Sequence, residues 1–323
     1  MLGSKESNFF KRLLLFCFAS IGLLLVSYFI NARCLRSTTT LLSQDVSIVA
    51  TGSSLMTAAF DPNFMVGSTN VALAAEPFFV SYLKIKNLVE HHPQINKILF
   101  SYSLPELNRK KDTFLNGETA LTTELLNRLS YMQDGFSLCQ LKAFDVDVFS
   151  YLEVFIRNRV FPNFLLFCCT DFKDSGEGSG QLPYLGEYLP HSGIGPLDEL
   201  IDVNRYVSKY FPLEGGKAAL SITDNVYADS IVWLCRQKNI QLFLIGFPVR
   251  RCILSKVPED YLTYYNQKLS GYEKLSNVHI LNMTSVDLNY VYYNDPMHLN
   301  KRGAKLISGK IVKAIDSLVM VGL

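Results

Sequence analysis

From residue 46 onward, short apolar runs alternate with longer stretches whose apolar residues recur every three or four positions. The short runs, at 46–50, 70–73, 97–102, 240–246 and 278–282, predict five strands. Several are apolar throughout, as strands covered on both faces are. The periodic stretches at 78–90, 224–238, 259–274 and 301–317 predict amphipathic helices. Strict alternation of the two kinds predicts a parallel sheet, and five strands with crossover helices make a small three-layer α/β/α sandwich. The interval 103–220 breaks this rhythm. It holds helix-like pieces at 120–132 and 145–157 and a polar loop at 171–180, and it has enough aromatic and aliphatic residues to fold as a helical insertion capping the sheet.

A different pattern precedes residue 46. Residues 13–30 carry no charge, and Ser20 and Ser27 are their only polar side chains. With Ala32 this run reaches the about 20 residues that a helix needs to cross a hydrocarbon core of ~30 Å. A secretory leader has a shorter apolar core of about 7–15 residues and a small-residue cleavage site, and neither is found here. Arg33 precedes Cys34 where a lipidation site needs a small residue. The expected organisation is a cytoplasmic segment 1–12, a membrane anchor 13–32, a linker 33–45 that is polar and Thr-rich, and an α/β domain 46–323. Lys5, Lys11 and Arg12 before the span, against Arg33 and Arg36 after it, favour a cytoplasmic N-terminus and an extracytoplasmic domain. The run 161–169, closed off by Arg157, Arg159 and Pro162, is too short for a second span.

Composition narrows the function classes. A hydrophobic fraction of 49% excludes wholesale disorder, and a net charge of +2 with dispersed Lys and Arg argues against nucleic acid as a partner. The seven cysteines show no C-x-x-C spacing and define neither a metal site nor a disulfide framework, and Cys168 and Cys169 end an apolar run as buried thiols do. His91 and His92 close a helix before Pro93, where they complement the helix dipole, and they lack a spaced carboxylate partner for metal binding. His279 alternates within a strand, and His191 lies in the insertion without an evident partner. Gly215-Gly216-Lys217 lacks the spacing of a phosphate loop and reads as a turn before a helix.

Two short runs at opposite ends of the domain carry chemistry: Thr51-Gly52-Ser53-Ser54-Leu55 after the first strand, and Asn294-Asp295-Pro296-Met297-His298-Leu299 before the last helix. A serine on a strand-turn-helix junction is lifted above the carboxyl edge of the sheet, where open α/β sheets bind ligands. Its hydroxyl needs a neighbouring base to become a nucleophile. His298 is the candidate base, and Asp295 stands three residues away to orient the imidazole and stabilise its cation. Each run also has a plain structural reading, because Ser53 or Ser54 could cap the following helix and Asp-x-x-His could be a turn before a helix. Their joint occurrence, in that order on those elements, favours catalysis.

These residues resemble the SGNH or GDSL-like esterase family, whose first block ends in the nucleophilic serine and whose last block reads Asp-x-x-His. The resemblance covers about 46–317 without the insertion and implies a flavodoxin-like fold of SGNH type with no metal or organic cofactor. More narrowly, the N-terminal span, Asn70-Val71-Ala72-Leu73-Ala74-Ala75 and Phe247-Pro248-Val249-Arg250 look like membrane-anchored bacterial envelope relatives tied to polysaccharide O-acylation. The family uses three oxyanion donors: the serine amide, a glycine amide after the second strand, and an asparagine side chain after the third. By resemblance Ser54 supplies the first. Ala75 replaces the glycine and can still offer its amide. Ser103-Leu104-Pro105-Glu106 has no asparagine before Asn108, so Ser103 or Asn108 is the auxiliary candidate. Losing one donor typically costs about 10²- to 10³-fold in turnover.

Glu76, after the second strand, and Arg250, after the fourth, lie near the presumed cleft and are candidate substrate contacts, although a solvated Arg250-Arg251 pair is the alternative. The expected function is an anchored serine esterase or O-acyltransferase acting on acyl esters, O-acetyl groups above all, of an envelope carbohydrate. The alternative is a catalytically silent scaffold or carbohydrate-binding envelope protein of the same fold.

Overall fold

The computed structural model describes residues 4–38, 42–109, 112 and 185–321. The chain divides into two compact units, Met1–Leu41 with Glu118–Pro183, and Leu42–Gly117 with Tyr184–Leu323. In the first unit the described part is one helix, α1 (Ser4–Thr38), 35 residues long. Phe16, Phe18 and Leu23 are among the large apolar side chains that it exposes. Among the described residues, no helix is long and apolar enough to cross a membrane. The side chains at 4–7, 24, 27, 28, 30–38 and 319–321 lie outside the described set. So do the helix-like pieces 120–132 and 145–157, the run 161–169 and the loop 171–180.

The second unit is built on a parallel five-stranded sheet of β1 (Ile48–Thr51), β2 (Ser68–Asn70), β3 (Lys97–Ser101), β4 (Gln241–Gly246) and β5 (Val278–Asn282), in the order β2-β1-β3-β4-β5. Four of the five strands lie within two residues of the expected runs, and β2 is displaced by two residues at its start and three at its end. β2 closes at Asn70 rather than opening there, but Val71 and Leu73 still donate to Ala50 O (2.8 Å) and Gly52 O (3.0 Å), so the chain follows β1 beyond the strand proper.

Because strand side chains alternate between faces, this sheet builds two cores. Val49, Ile98, Phe100, Leu242 and Leu244 pack against α3 (Phe78–His91), α5 (Ile222–Gln237) and α6 (Glu259–Tyr272). Ala50, Leu99, Phe243 and Ile245 face α2 (Ser54–Ala59) and α7 (Lys301–Val321). The helices match the periodic stretches closely. Covered on both faces, the sheet can bind a ligand only at an edge, and its order reverses between β1 and β3, where the carboxyl ends of an open α/β sheet form a crevice.

The described part of the insertion is mostly irregular. It adds α4 (Val203–Tyr210), a hairpin of Leu213–Glu214 with Lys217–Ala218, and two short 3₁₀ turns. Gly215 and Gly216 form the hairpin tip, so this turn joins two strands and does not lead directly into a helix. Residues 185–198 form a strap across the carboxyl edge. Gly186 N donates to Val71 O (3.1 Å), Leu189 N to Thr57 O (3.0 Å), and Gly195 N to Tyr293 O (2.7 Å). At Gly186 a Cβ would sit 1.6 Å from Ala72 O, so no larger residue allows this approach.

Candidate active site

Three local features place Ser54. Gly52, at φ +136°, turns the chain sharply out of β1, and a Cβ there would meet Ser101 Cβ of β3 at 2.4 Å. Ser53 caps α2, its Oγ accepting from Leu55 N (3.4 Å). Asn70 ties α2 to the end of β2, its Nδ2 donating to Met56 O (3.1 Å) and Phe60 O (2.8 Å). Ser53 takes the capping role, which leaves the half-buried Ser54 hydroxyl for another partner.

That partner is His298. Ser54 Oγ lies 2.9 Å from His298 Nε2 across 244 residues of chain. On the other side of the ring, His298 Nδ1 is 2.9 Å from Asp295 Oδ2 and 3.1 Å from Oδ1. Asp295 Oδ1 also accepts from the amides of Met297 (2.8 Å) and His298 (2.9 Å), so the loop holds the carboxylate in place. Burial pushes the Asp295 carboxyl upward. The hydrogen bond and attraction of His298, with the two amides, outweigh it and hold the group down at about 2. An ionised Asp295 on Nδ1 fixes the tautomer in which Nε2 accepts the serine proton. Sequence reasoning named all three residues.

The oxyanion side is partly formed. Ala75 has φ +55°, the left-handed region where the expected glycine would sit without strain. Among the described residues, neither the Ser54 nor the Ala75 N–H has a hydrogen-bond acceptor. The Leu73–Gly52 bond keeps the Ala75 turn beside the β1–α2 junction. Neither Ser103 nor Asn108 is available as an auxiliary donor. Buried Ser103 accepts from Phe247 N (3.0 Å) and donates to Ile245 O (3.4 Å), stitching β3 to β4. Asn108 Nδ2 donates to Pro105 O (2.8 Å), and its backbone bridges to Leu220.

Glu76 and Arg250 are not substrate contacts. Glu76 is fully buried in an ion pair with Lys84 at 2.5 Å. Arg250, also buried, donates to Pro196 O (2.7 Å), pairs with Asp198 and stacks its guanidinium over Tyr293 at 5.6 Å, pinning the strap. Arg251 is the solvated one, 3.7 Å from Asp287.

The residue that sequence reasoning missed is His191. The strap carries its ring edge-to-face against His298, with centroids 5.8 Å apart. Lys301 N donates to His191 O (2.7 Å) and Asn300 Nδ2 to Gly193 O (2.9 Å), so the strap is tied to the loop bearing the base. No local spacing signals this contact. The remaining histidines are structural: His91 Nδ1 meets Asn87 O at 2.8 Å, His92 is buried, and His279 stacks on Phe243 at 4.7 Å, where burial lowers its pKa. Among the described residues no cluster of His, Cys, Asp and Glu could hold a metal ion. Cys17, Cys235 and Cys252 are free thiols, and burial pushes Cys235 up to about 12. Cys139, Cys168 and Cys169, and the Cys34 side chain, lie outside the described set.

Compared with known proteins, the chain matches no family model and no curated protein.

Proposed function

We propose that this protein is a serine esterase or O-acyltransferase of SGNH type. The observation that carries the reading is the 2.9 Å approach of Ser54 Oγ to His298 Nε2, with Asp295 on the opposite ring nitrogen. His298 removes the Ser54 proton as Oγ attacks the carbonyl carbon of an ester. The carbonyl oxygen becomes an oxyanion facing the Ser54 and Ala75 amides. The tetrahedral intermediate then breaks its bond to the alcohol oxygen, which leaves with the proton from His298. Water or a second hydroxyl, deprotonated by His298, next attacks the acyl-serine, and collapse of the second tetrahedral intermediate breaks the acyl–Oγ bond as His298 returns the proton to Ser54. The acceptor distinguishes hydrolysis from transfer. A sugar hydroxyl fits the resemblance to envelope acylation proteins, and an O-acetylated envelope carbohydrate is the proposed substrate class.

The uncharged run 13–30 and the exposed apolar side chains of α1 support a single-pass anchor in the cell membrane, with the catalytic domain outside the cytoplasm. One observation favours a second reading, a silent scaffold: Ser103 and Asn108 spend their polar groups internally, which leaves two amide donors where the resembling family has three. A fluorophosphonate probe separates the two. Labelling of wild type at Ser54, lost in Ser54→Ala and His298→Ala, supports the esterase. A folded wild-type protein that stays unlabelled overturns it.

A further inference from the structure

The turn that offers the Ala75 amide is held from beneath by a buried charged cluster. Lys84, on α3, places its ammonium 2.5 Å from Glu76 Oε2 and 2.5 Å from Val71 O, so one cation clamps both ends of the segment 71–76. Ser81, one turn earlier on the same helix, donates to Glu76 Oε1 at 2.6 Å. Glu76 N closes the turn on Leu73 O at 3.2 Å. All three side-chain partners are fully buried. Between the clamped ends stands Ala75 at φ +55°, a conformation that an L-residue with a Cβ resists.

Burying a carboxylate and an ammonium under a short turn is costly, and well-packed apolar residues would usually serve stability as well. Strained backbone persists only where its surroundings over-determine it. Here the surroundings are an ion pair to Glu76, which follows the strained residue, and a charged hydrogen bond to the carbonyl of Val71, just past β2.

We infer that Glu76, Lys84 and Ser81 are positioning residues that lock Ala75 in the left-handed conformation and thereby aim its N–H at the oxyanion. This rests on the esterase reading for its catalytic consequence, although the lock on the backbone does not. The cluster does the work that a glycine's freedom does where that residue occupies the turn.

The test uses the full-length, detergent-solubilised chain, p-nitrophenyl acetate as substrate, and active-site titration with a fluorophosphonate. Glu76→Gln with Lys84→Met removes both charges together, and Ser81→Ala is the milder variant that keeps the ion pair. Positioning predicts that kcat per titrated site falls about 10- to 100-fold in the double variant and several-fold in Ser81→Ala, with KM little changed. Adding Ala75→Gly to the double variant recovers about five-fold or more, because glycine needs no lock. A purely structural cluster would lower the melting temperature and the fraction of titratable sites while leaving kcat per site unchanged. In parallel, a crystal structure of Ser81→Ala or the double variant reads φ at Ala75. Relaxation to negative φ supports the lock even if wild type proves inactive toward the ester, an outcome that overturns the esterase reading alone. Ala75 still at positive φ in the folded double variant, or an undiminished kcat per site, overturns the inference.

Discussion

Two acid–base pairs flank the carboxyl edge of this sheet, and they are built in opposite ways. Asp295 and His298 are three residues apart in one loop, 2.9 Å from each other, with side chains 38% and 19% exposed. Glu76 and Lys84 join a turn to a helix at 2.5 Å with no exposure at all. A pair that must exchange a proton with substrate has to remain in reach of it, so it is held by its own loop amides and leans on solvent. A pair that only holds backbone is best hidden, where low polarisability strengthens its attraction and removal of one partner strands a charge. On the esterase reading the first governs turnover and, through the depressed Asp295 carboxyl, adds a pH-dependent share of stability, whereas the second governs folding and, through Ala75, turnover.

The sharpest way to break this contrast is at the nucleophile. Ser54→Ala or His298→Ala is expected to lower turnover by about 10⁴- to 10⁶-fold in a single-turnover ester assay, with the melting temperature nearly unchanged. Asp295→Asn should cost about 10⁴-fold by removing the anion that selects the tautomer. It also carries a pH signature. The Asp295 carboxyl sits at about 2 against an ordinary 3.8, and a depressed folded value means stability that is present above the unfolded value and lost as pH falls through the folded one. The melting-temperature gap between wild type and Asp295→Asn should be open at neutral pH and close between about pH 4 and pH 2.

At the buried pair the balance reverses. Lys84→Met alone leaves the Glu76 carboxylate stranded and should destabilise the domain by about 3–5 kcal/mol, lowering the melting temperature by roughly 6–20 °C in calorimetry. Combining it with Glu76→Gln should restore much of that loss. An equal melting temperature for the single and double variants would show that the pair is not coupled. The smallest effect is expected at His191. An edge-to-face ring contact contributes about 0.5–1.5 kcal/mol, so His191→Ala should slow turnover about 2- to 10-fold by loosening His298. His191→Phe, which keeps the ring, should retain most of the activity.

The legible part of this protein is the part written in local pattern. Apolar runs and helical periodicity located all five strands and α3, α5, α6 and α7, because a doubly covered strand and an amphipathic helix announce themselves within a few residues. Ser54, Asp295 and His298 were legible for a related reason: each sits at the end of such an element, so parallel topology alone sends them to one edge. Direction and burial were not legible. Ser103 and Asn108 follow β3 as an auxiliary donor should, yet neighbouring carbonyls and an amide use their polar groups.

Glu76 and Arg250 read as cleft residues by their place after a strand, but packing from α3 and from the strap turned both inward. The contact of His191 with His298 depends on a strap that crosses the edge after a long excursion of the chain, and no spacing encodes that path. The sequence by itself determined the layers, the order of elements and which three side chains, Ser54, His298 and Asp295, meet at the sheet's edge, since these follow from short-range periodicity and chain direction. Only tertiary structure decided which polar groups stay open at the sheet's edge and which are consumed holding the backbone, because that choice is made by whatever lies across the gap, far away along the chain.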